Sequence, residues 1–261
     1  MDLGLKGKTA LVLAGGGGIG RAVAKALAME GAQVAIAGRH AESVQASVAE
    51  AAASGVKTVG LVWDLGDLSA IDPNVTRIEN ELGPVDILVN NTGGPPPTTA
   101  AGQDPGLWMK QFQAMVLSVI ATTDRVLPGM RQRRWGRIVT STSSGMIAPI
   151  PNLGLSNTLR SSLAGWSKTL AREVAREGIT VNVVVPGRIA TARVRFLDES
   201  RAKREGRSLD EILAESEAAI PMGRYGTPEE YADVVAFLAS ERAAYITGSM
   251  VRVDGGAIPA V

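Results

Sequence analysis

The chain has 261 residues, 45% of them hydrophobic, which is enough to bury one sizeable core in a single domain spanning residues 1–261. Its 27 basic and 26 acidic residues leave a net charge of +1, without the basic footprint of a nucleic-acid-binding protein. With no cysteine and one histidine, His40, the sequence excludes disulfides, thiolate zinc sites and paired-histidine metal sites, so no metal is expected.

In chain order, the first apolar run of strand length is Thr9 to Ala14. It leads through Gly15, Gly16, Gly17, Gly18, Ile19 and Gly20 into a helical segment from Ile19 to Met29. Glycines let a backbone approach a pyrophosphate, and a helix N-terminus supplies amide donors, so this loop is a candidate dinucleotide cradle. A second strand, Gln33 to Ala37, ends in Gly38-Arg39-His40 before a helix from Ala41 to Ala53. Sheets that favour NAD place an acid there for the ribose 2′-hydroxyl. Arg39 instead suits a 2′-phosphate, which predicts NADP(H) as cofactor. His40 reads as a solvated loop residue.

A third strand, Thr58 to Trp63, precedes Asp64-Leu65 and a helix from Leu68 to Leu82. The fourth, Asp86 to Asn90, opens into Asn91-Thr92-Gly93 and then Gly94-Pro95-Pro96-Pro97, a stiff loop expected to shape a pocket wall. Arg137 to Ser141 runs into Thr142-Ser143-Ser144, and helical spacing then covers Leu153 to Arg176. The sixth strand, Thr180 to Val185, is followed by Pro186-Gly187 and by an insertion at about 192–221 with a helical stretch near Leu209 to Ala219. That insertion carries Arg193, Arg195, Arg201, Lys203, Arg204 and Arg207, interleaved with Asp198, Glu199 and Glu205, the pattern of a solvated charged helix. Thr227-Pro228-Glu229-Glu230 is a capping box that starts a helix running to about Ala239, and Met250 to Val253 is the last strand. The alternation predicts an α/β fold: a single-domain, doubly wound Rossmann architecture with a seven-stranded parallel sheet and helices on both faces. No apolar run reaches the roughly 18 residues that cross a bilayer, and Met1 to Lys6 holds no signal-peptide hydrophobic region. A cytoplasmic protein without a membrane partner is therefore expected.

The motifs together resemble the short-chain dehydrogenase/reductase family, in layout its 3-oxoacyl carrier-protein reductases, over nearly the whole chain. Ala14 to Gly20 is similar to the TGxxxGIG loop, with Leu13-Ala14 where the family has Thr-Gly. An alanine fits there only with a negative φ or mild strain. Asp64-Leu65 resembles the adenine-contacting pair, Asn90 to Gly93 the NNAG motif, and Pro186, Gly187, Ile189 and Thr191 the stretch covering the nicotinamide. Val253 to Gly256 resembles the C-terminal signature.

The resemblance also implies a catalytic asparagine, serine, and Tyr-x-x-x-Lys pair, and here it breaks. Ser143 matches the serine, but Met115, Ser156 and Arg160 stand at the asparagine, tyrosine and lysine positions. Arginine does not shuttle protons, and losing a positioned acid forfeits about 10² to 10⁴ in rate. Ser143, Ser156 and Arg160 remain as candidate catalytic residues: two hydroxyls to stabilise an oxyanion, and a cation that can also hold the cofactor ribose. The expected function is an NADP(H)-dependent oxidoreductase of a small molecule that needs little proton help. The alternative is a dinucleotide-binding pseudoenzyme, or a non-redox isomerase or lyase. The family implies a homotetramer, built partly through the helices near Gly106 to Arg133 and Leu153 to Arg176.

Overall fold

The strands are β1 (Thr9–Val12), β2 (Gln33–Gly38), β3 (Thr58–Val62), β4 (Ile87–Asn90), β5 (Gly136–Ser141), β6 (Ile179–Pro186) and β7 (Met250–Val253). In the computed structural model, which describes residues 1–260, they form one sheet in the order β3-β2-β1-β4-β5-β6-β7, and every pairing is parallel. All seven expected strands form, with ends shifted by at most two residues and the last, Met250–Val253, unshifted. The first stops at Val12 rather than Ala14, because Ala14 turns into the left-handed region at φ +47°.

The helices are α1 (Gly18–Met29), α2 (Ala41–Ala52), α3 (Ile71–Leu82), α4 (Pro105–Phe112), α5 (Ser118–Arg133), α6 (Gly154–Val174), α7 (Ala192–Glu205), α8 (Leu209–Ala218) and α9 (Pro228–Leu238). A 3-10 turn at Leu68–Ala70 precedes α3, and one π-turn, Gln113–Leu117, joins α4 to α5. The capping box of α9 is complete: Thr227 Oγ1 accepts from Glu230 N at 3.2 Å, and Glu230 accepts from Thr227 N at 2.8 Å.

Strand alternation sorts the core into two layers. Leu11, Leu13, Ala35 and Leu88 face the layer of Val75, Ile78, Val126, Met130 and Val174 from α3, α5 and α6. Ala10, Val12, Val34 and Ile36 face Val23, Leu27, Tyr231 and Val235 from α1 and α9. Covered on both faces, the strands read as continuous apolar runs, and each buried Val or Leu contributes about 1.5–3 kcal/mol.

The chain winds outward from β1 through β2 to β3 and then returns to β4 on the other side of β1. The carboxyl ends of β1 and β4 therefore border the crevice where such sheets receive ligands. Leu13 N donates to Val89 O at 3.0 Å across it, and Asn91 Nδ2 reaches Ala14 O at 3.4 Å.

The insertion at 192–221 holds two helices, the charged segment as α7 and the stretch near Leu209 to Ala219 as α8. Thr191 caps α7, accepting from Val194 N at 3.3 Å, while Ser208 and Glu211 form a capping box for α8. Asp198, expected among the solvated charges, is fully buried; it pairs with Arg188 and accepts from the Tyr225 hydroxyl at 3.0 Å. No helix among the described residues is long and apolar enough to cross a membrane.

Candidate active site

The glycine loop turns between β1 and α1 with Gly18 at φ +52°. A Cβ on Gly20 would collide with the Ala14 carbonyl oxygen, so that glycine lets α1 start hard against the loop. Of the two backbones open to Ala14, the strained one is realised, at φ +47°. Gly17 caps α1 without a side chain, and a Cβ there would meet nothing within 4 Å. The first amides of α1 thus face an open cradle that fits a pyrophosphate. Gly15 and Gly16 pack behind it, against Ile36 and Ser43, while Ile19 is half-buried.

Arg39 leaves the end of β2 exposed, with no ion pair to any described residue, and so is available to a phosphate. His40 beside it is exposed and makes no side-chain bond at the cap of α2, as expected of a solvated residue. Asp64 accepts from Gly66 N through Oδ1 at 2.9 Å, leaving its other oxygen free, and Leu65 lies half-buried next to it. At the end of β4, Thr92 Oγ1 is buried without a hydrogen-bond partner among the described residues. An orphaned hydroxyl there is a second feature that fits a polar ligand.

Pro186 and Gly187 close β6. A Cβ on Gly187 would fall 2.6 Å from Asp254 Cα, and Asp254 accepts from Gly256 N and Ile258 N at 3.0 Å each, so the C-terminal signature buttresses this turn. Ile189 is buried, and Thr191 approaches the glycine loop, its Cγ2 lying 3.5 Å from a Cβ built on Gly18. The stretch after β6 therefore passes over the cradle that the sequence assigns to cofactor.

Ser143, Ser156 and Arg160 come from β5 and α6. Ser143 caps the turn Ser144–Met146, its Oγ accepting from Gly145 N at 3.1 Å, which leaves its O–H free to donate. A Cβ on Gly145 would collide with Asn157 Oδ1 and lie 3.4 Å from Ser143 Oγ, so the first turn of α6 rests against the end of β5. Asn157 fastens that turn by donating to Ile150 O at 2.9 Å. Ser156 is buried, and its hydroxyl bonds to no described residue.

One helical turn on, Arg160 is 7% exposed and donates to Thr92 O at 3.1 Å, Ser141 O at 3.4 Å and Gly93 O at 3.5 Å. These acceptors are all backbone carbonyls. Burial, followed by the nearby charge of Arg193, pulls its pKa down to about 10, so it remains a cation at neutral pH. Met115 sits on the π-turn and packs with Leu155 and Leu159, with no polar group to offer.

No tyrosine replaces the missing acid. Tyr231 is fully buried; its hydroxyl lies 2.8 Å from Ser141 Oγ and 3.3 Å from Val184 O, and burial raises its pKa above the ordinary value. Tyr225 is engaged with Asp198 and Arg188, and Tyr245 is fully exposed. Lys168 is exposed and donates to Gly248 O at 2.8 Å, away from this centre.

The stiff loop after β4 does more than connect. Thr98 N donates to Asn152 O at 2.8 Å and Gly154 N to Thr98 O at 2.9 Å, which fastens the loop to the start of α6 next to Ser156. Opposite, Arg193 from α7 donates to Pro95 O at 2.6 Å and lies over Gly94. Arg193 was grouped with the solvated charges of the insertion. Its inward orientation depends on the fold of α7, which no sequence spacing announced.

Residues 13–257 match the family model described as Enoyl-(Acyl carrier protein) reductase. The chain is 38% identical over 257 residues to the 3-oxoacyl-[acyl-carrier-protein] reductase FabG of Escherichia coli (strain K12), covering 97% of this chain and 98% of that protein. Among solved structures it is similar to L-sorbose reductase from Gluconobacter frateurii complexed with NADPH and L-sorbose, with a TM-score of 0.94, 30% identity and 100% coverage of both chains. A variant of actinorhodin polyketide ketoreductase solved with NADPH gives a TM-score of 0.91 at 32% identity, covering 96% of this chain and 97% of that one. The order of motifs, the sheet topology and these matches agree, and the chain belongs to the short-chain dehydrogenase/reductase family.

Proposed function

We propose that the protein is an NADP(H)-dependent reductase that delivers hydride to a small carbonyl-type acceptor whose reduced oxyanion is weakly basic. The observation that carries this is the pairing of an open dinucleotide cradle with a reaction centre that holds two hydroxyls and a buried cation but no acid. When bound, NADPH would supply the hydride. Gly15, Gly16, Gly17, Gly18, Ile19 and Gly20 hold the pyrophosphate, Arg39 the 2′-phosphate, and Asp64 with Leu65 the adenine. Asn91, Thr92, Gly93, Pro186, Gly187, Ile189 and Thr191 enclose the nicotinamide end.

Ser143 and Ser156 donate to the oxygen on which charge develops, and Arg160 holds the ribose and adds positive potential in a site of low dielectric. No protein group then hands over a proton. An alkoxide formed from a simple ketone demands one at once, whereas the enolate formed by hydride addition to a conjugated enone is far less basic at its oxygen and can take its proton from water. Enone-type acceptors therefore suit the centre better than isolated ketones.

The relatives are named as reductases or dehydrogenases, which favours redox chemistry over a non-redox isomerase, a lyase or a cofactor-binding pseudoenzyme. The segment 192–221 acts as the substrate lid in this reading. A homotetramer and a cytoplasmic location complete it; α4 supports the former by leaving Met109 and Phe112 exposed, and a monomeric sedimentation boundary at micromolar protein would refute it.

Calorimetry with both cofactors tests the cofactor assignment. NADPH should bind at least about tenfold more tightly than NADH, since one bidentate charge-assisted contact is worth about 1.5–3 kcal/mol. Arg39→Asp should remove or reverse that preference. Equal affinities in the unmodified protein would contradict it.

A further inference from the structure

The insertion is rich in arginine, and nearly all of that charge is neutralised locally. Arg195 pairs with Glu199, Arg201 with Glu205 and Glu215, Arg204 with Glu205, and Arg207 with Glu205 and Glu215. Arg188, just before α7, pairs with buried Asp198. Arg193 is the exception: among the described residues it has no carboxylate within 4.0 Å. Burial lowers its pKa, and its one hydrogen bond goes to a neutral carbonyl, Pro95 O.

A second unpaired guanidinium stands on the same turn. Arg160 donates to the carbonyls of Thr92 and Gly93, and Arg193 to that of Pro95, with Gly94 between them. Gly94 lets the guanidinium lie close, since a Cβ there would lie 2.8 Å from Arg193 Nη2 and displace it. Two like charges thus bind the four-residue segment Thr92 to Pro95, one of them a helical turn from Ser156, and neither has a counter-ion among the described residues. Such an arrangement is costly until an anion enters.

Two anions can enter this crevice: the cofactor pyrophosphate and an oxyanion carried by the substrate. The geometry separates them. Thr191 approaches the glycine loop at Gly18, where the pyrophosphate fits, but two residues later α7 has turned Arg193 onto the loop after β4, which is fastened to the start of α6 and its Ser156. An apolar surface adjoins it: the Phe196 ring, 47% exposed, has its centroid 5.7 Å from the Arg193 guanidinium.

We infer that the acceptor carries a carboxylate on an apolar body, and that Arg193 binds this carboxylate while Phe196 covers the body. The inference deepens the proposed function and rests on it for the position of the substrate. Arg193 sets specificity; the hydroxyls and Arg160 act at the reacting atoms.

Benzoylacrylate and its ethyl ester make a matched pair, conjugated alike and differing in one negative charge. Each is titrated calorimetrically into the protein saturated with NADP⁺, and each is offered as oxidant to the NADPH complex. The acid should bind about 10- to 100-fold more tightly than the ester, the worth of a charge-assisted pair in a half-buried site. Arg193→Met, which keeps an apolar stem, should erase that difference without altering ester binding or NADP⁺ affinity. Arg193→Lys should restore part of it. Equal binding of acid and ester by the parent, no binding of either, or discrimination that survives Arg193→Met overturns the inference. A fall in NADP⁺ affinity matching the loss in acid affinity would assign Arg193 to the pyrophosphate and also overturn it. Charge discrimination without any NADPH oxidation would leave the anion site standing and sink the reductase reading instead.

Discussion

At the scale of single residues, the proposed chemistry turns on three side chains that sequence spacing points to and one that it does not. Ser143, Ser156 and Arg160 are candidates because the family resemblance aligns them with its catalytic positions after β5 and on α6. Arg193 was not identifiable, since only the folded insertion reveals that its neighbours have carboxylate partners and it has none. Ala14 was half legible: the departure from glycine was visible, the sign of its φ was not. A left-handed conformation costs a non-glycine residue about 1–2 kcal/mol, and glycine gives back about 0.5–1 kcal/mol through the freer unfolded chain. Ala14→Gly should therefore stabilise the protein by about 0.5–1 kcal/mol, read as a higher urea midpoint at unchanged slope. A lower midpoint would mean that Ala14 sits in φ space without strain.

Among the elements, strands and long amphipathic helices were legible because apolar periodicity marks them, and the α9 boundary because its capping box is written in Thr227 and Glu230. For the converse reason the charge pattern marks a solvated helix in the insertion but not which face of α7 turns inward. That helix buries only Asp198 and Ala202, so its pattern carries no apolar stripe. What fixes α7 is a polar lock, in which the Asp198 carboxylate takes the Arg188 guanidinium and the Tyr225 hydroxyl in a fully buried position. Asp198→Asn should loosen it. Breaking a buried pair costs about 3–5 kcal/mol, reduced here to about 2 because the Arg188 side chain is 34% exposed. Limited proteolysis should then cut between 188 and 208 faster than in the parent, and KM should rise more than kcat falls, while NADPH affinity holds. Unchanged proteolysis would show that the ion pairs between α7 and α8 suffice to hold the insertion.

Over the whole molecule, the order of strands decides where chemistry can occur. The reversal between β1 and β4 opens the crevice, the loops after β1, β4, β5 and β6 line it, and α6 carries its reactive face across. The topology was predictable from the alternation of elements. The absence of an acid is visible as two substitutions on α6, with no other tyrosine placed by the sequence to replace it, and the structure shows what holds the remaining candidates away. Tyr231 lies beneath the sheet ends, bonded to Ser141 and Val184, and Tyr225 is held in the α7 lock. The central claim is thus that this centre transfers hydride without a protein proton donor.

The most direct test compares the unmodified protein with the double variant Ser156→Tyr, Arg160→Lys, each saturated with NADPH, on a simple ketone and on a conjugated enone. The unmodified protein should reduce the enone and leave the ketone nearly untouched, and the double variant should raise the ketone rate, toward the low end of the about 10²- to 10⁴-fold a positioned acid supplies because Met115 still stands at the asparagine position. Rapid ketone reduction by the unmodified protein that survives Ser156→Ala would contradict the account, because protons would then reach the substrate by a route that these residues do not provide.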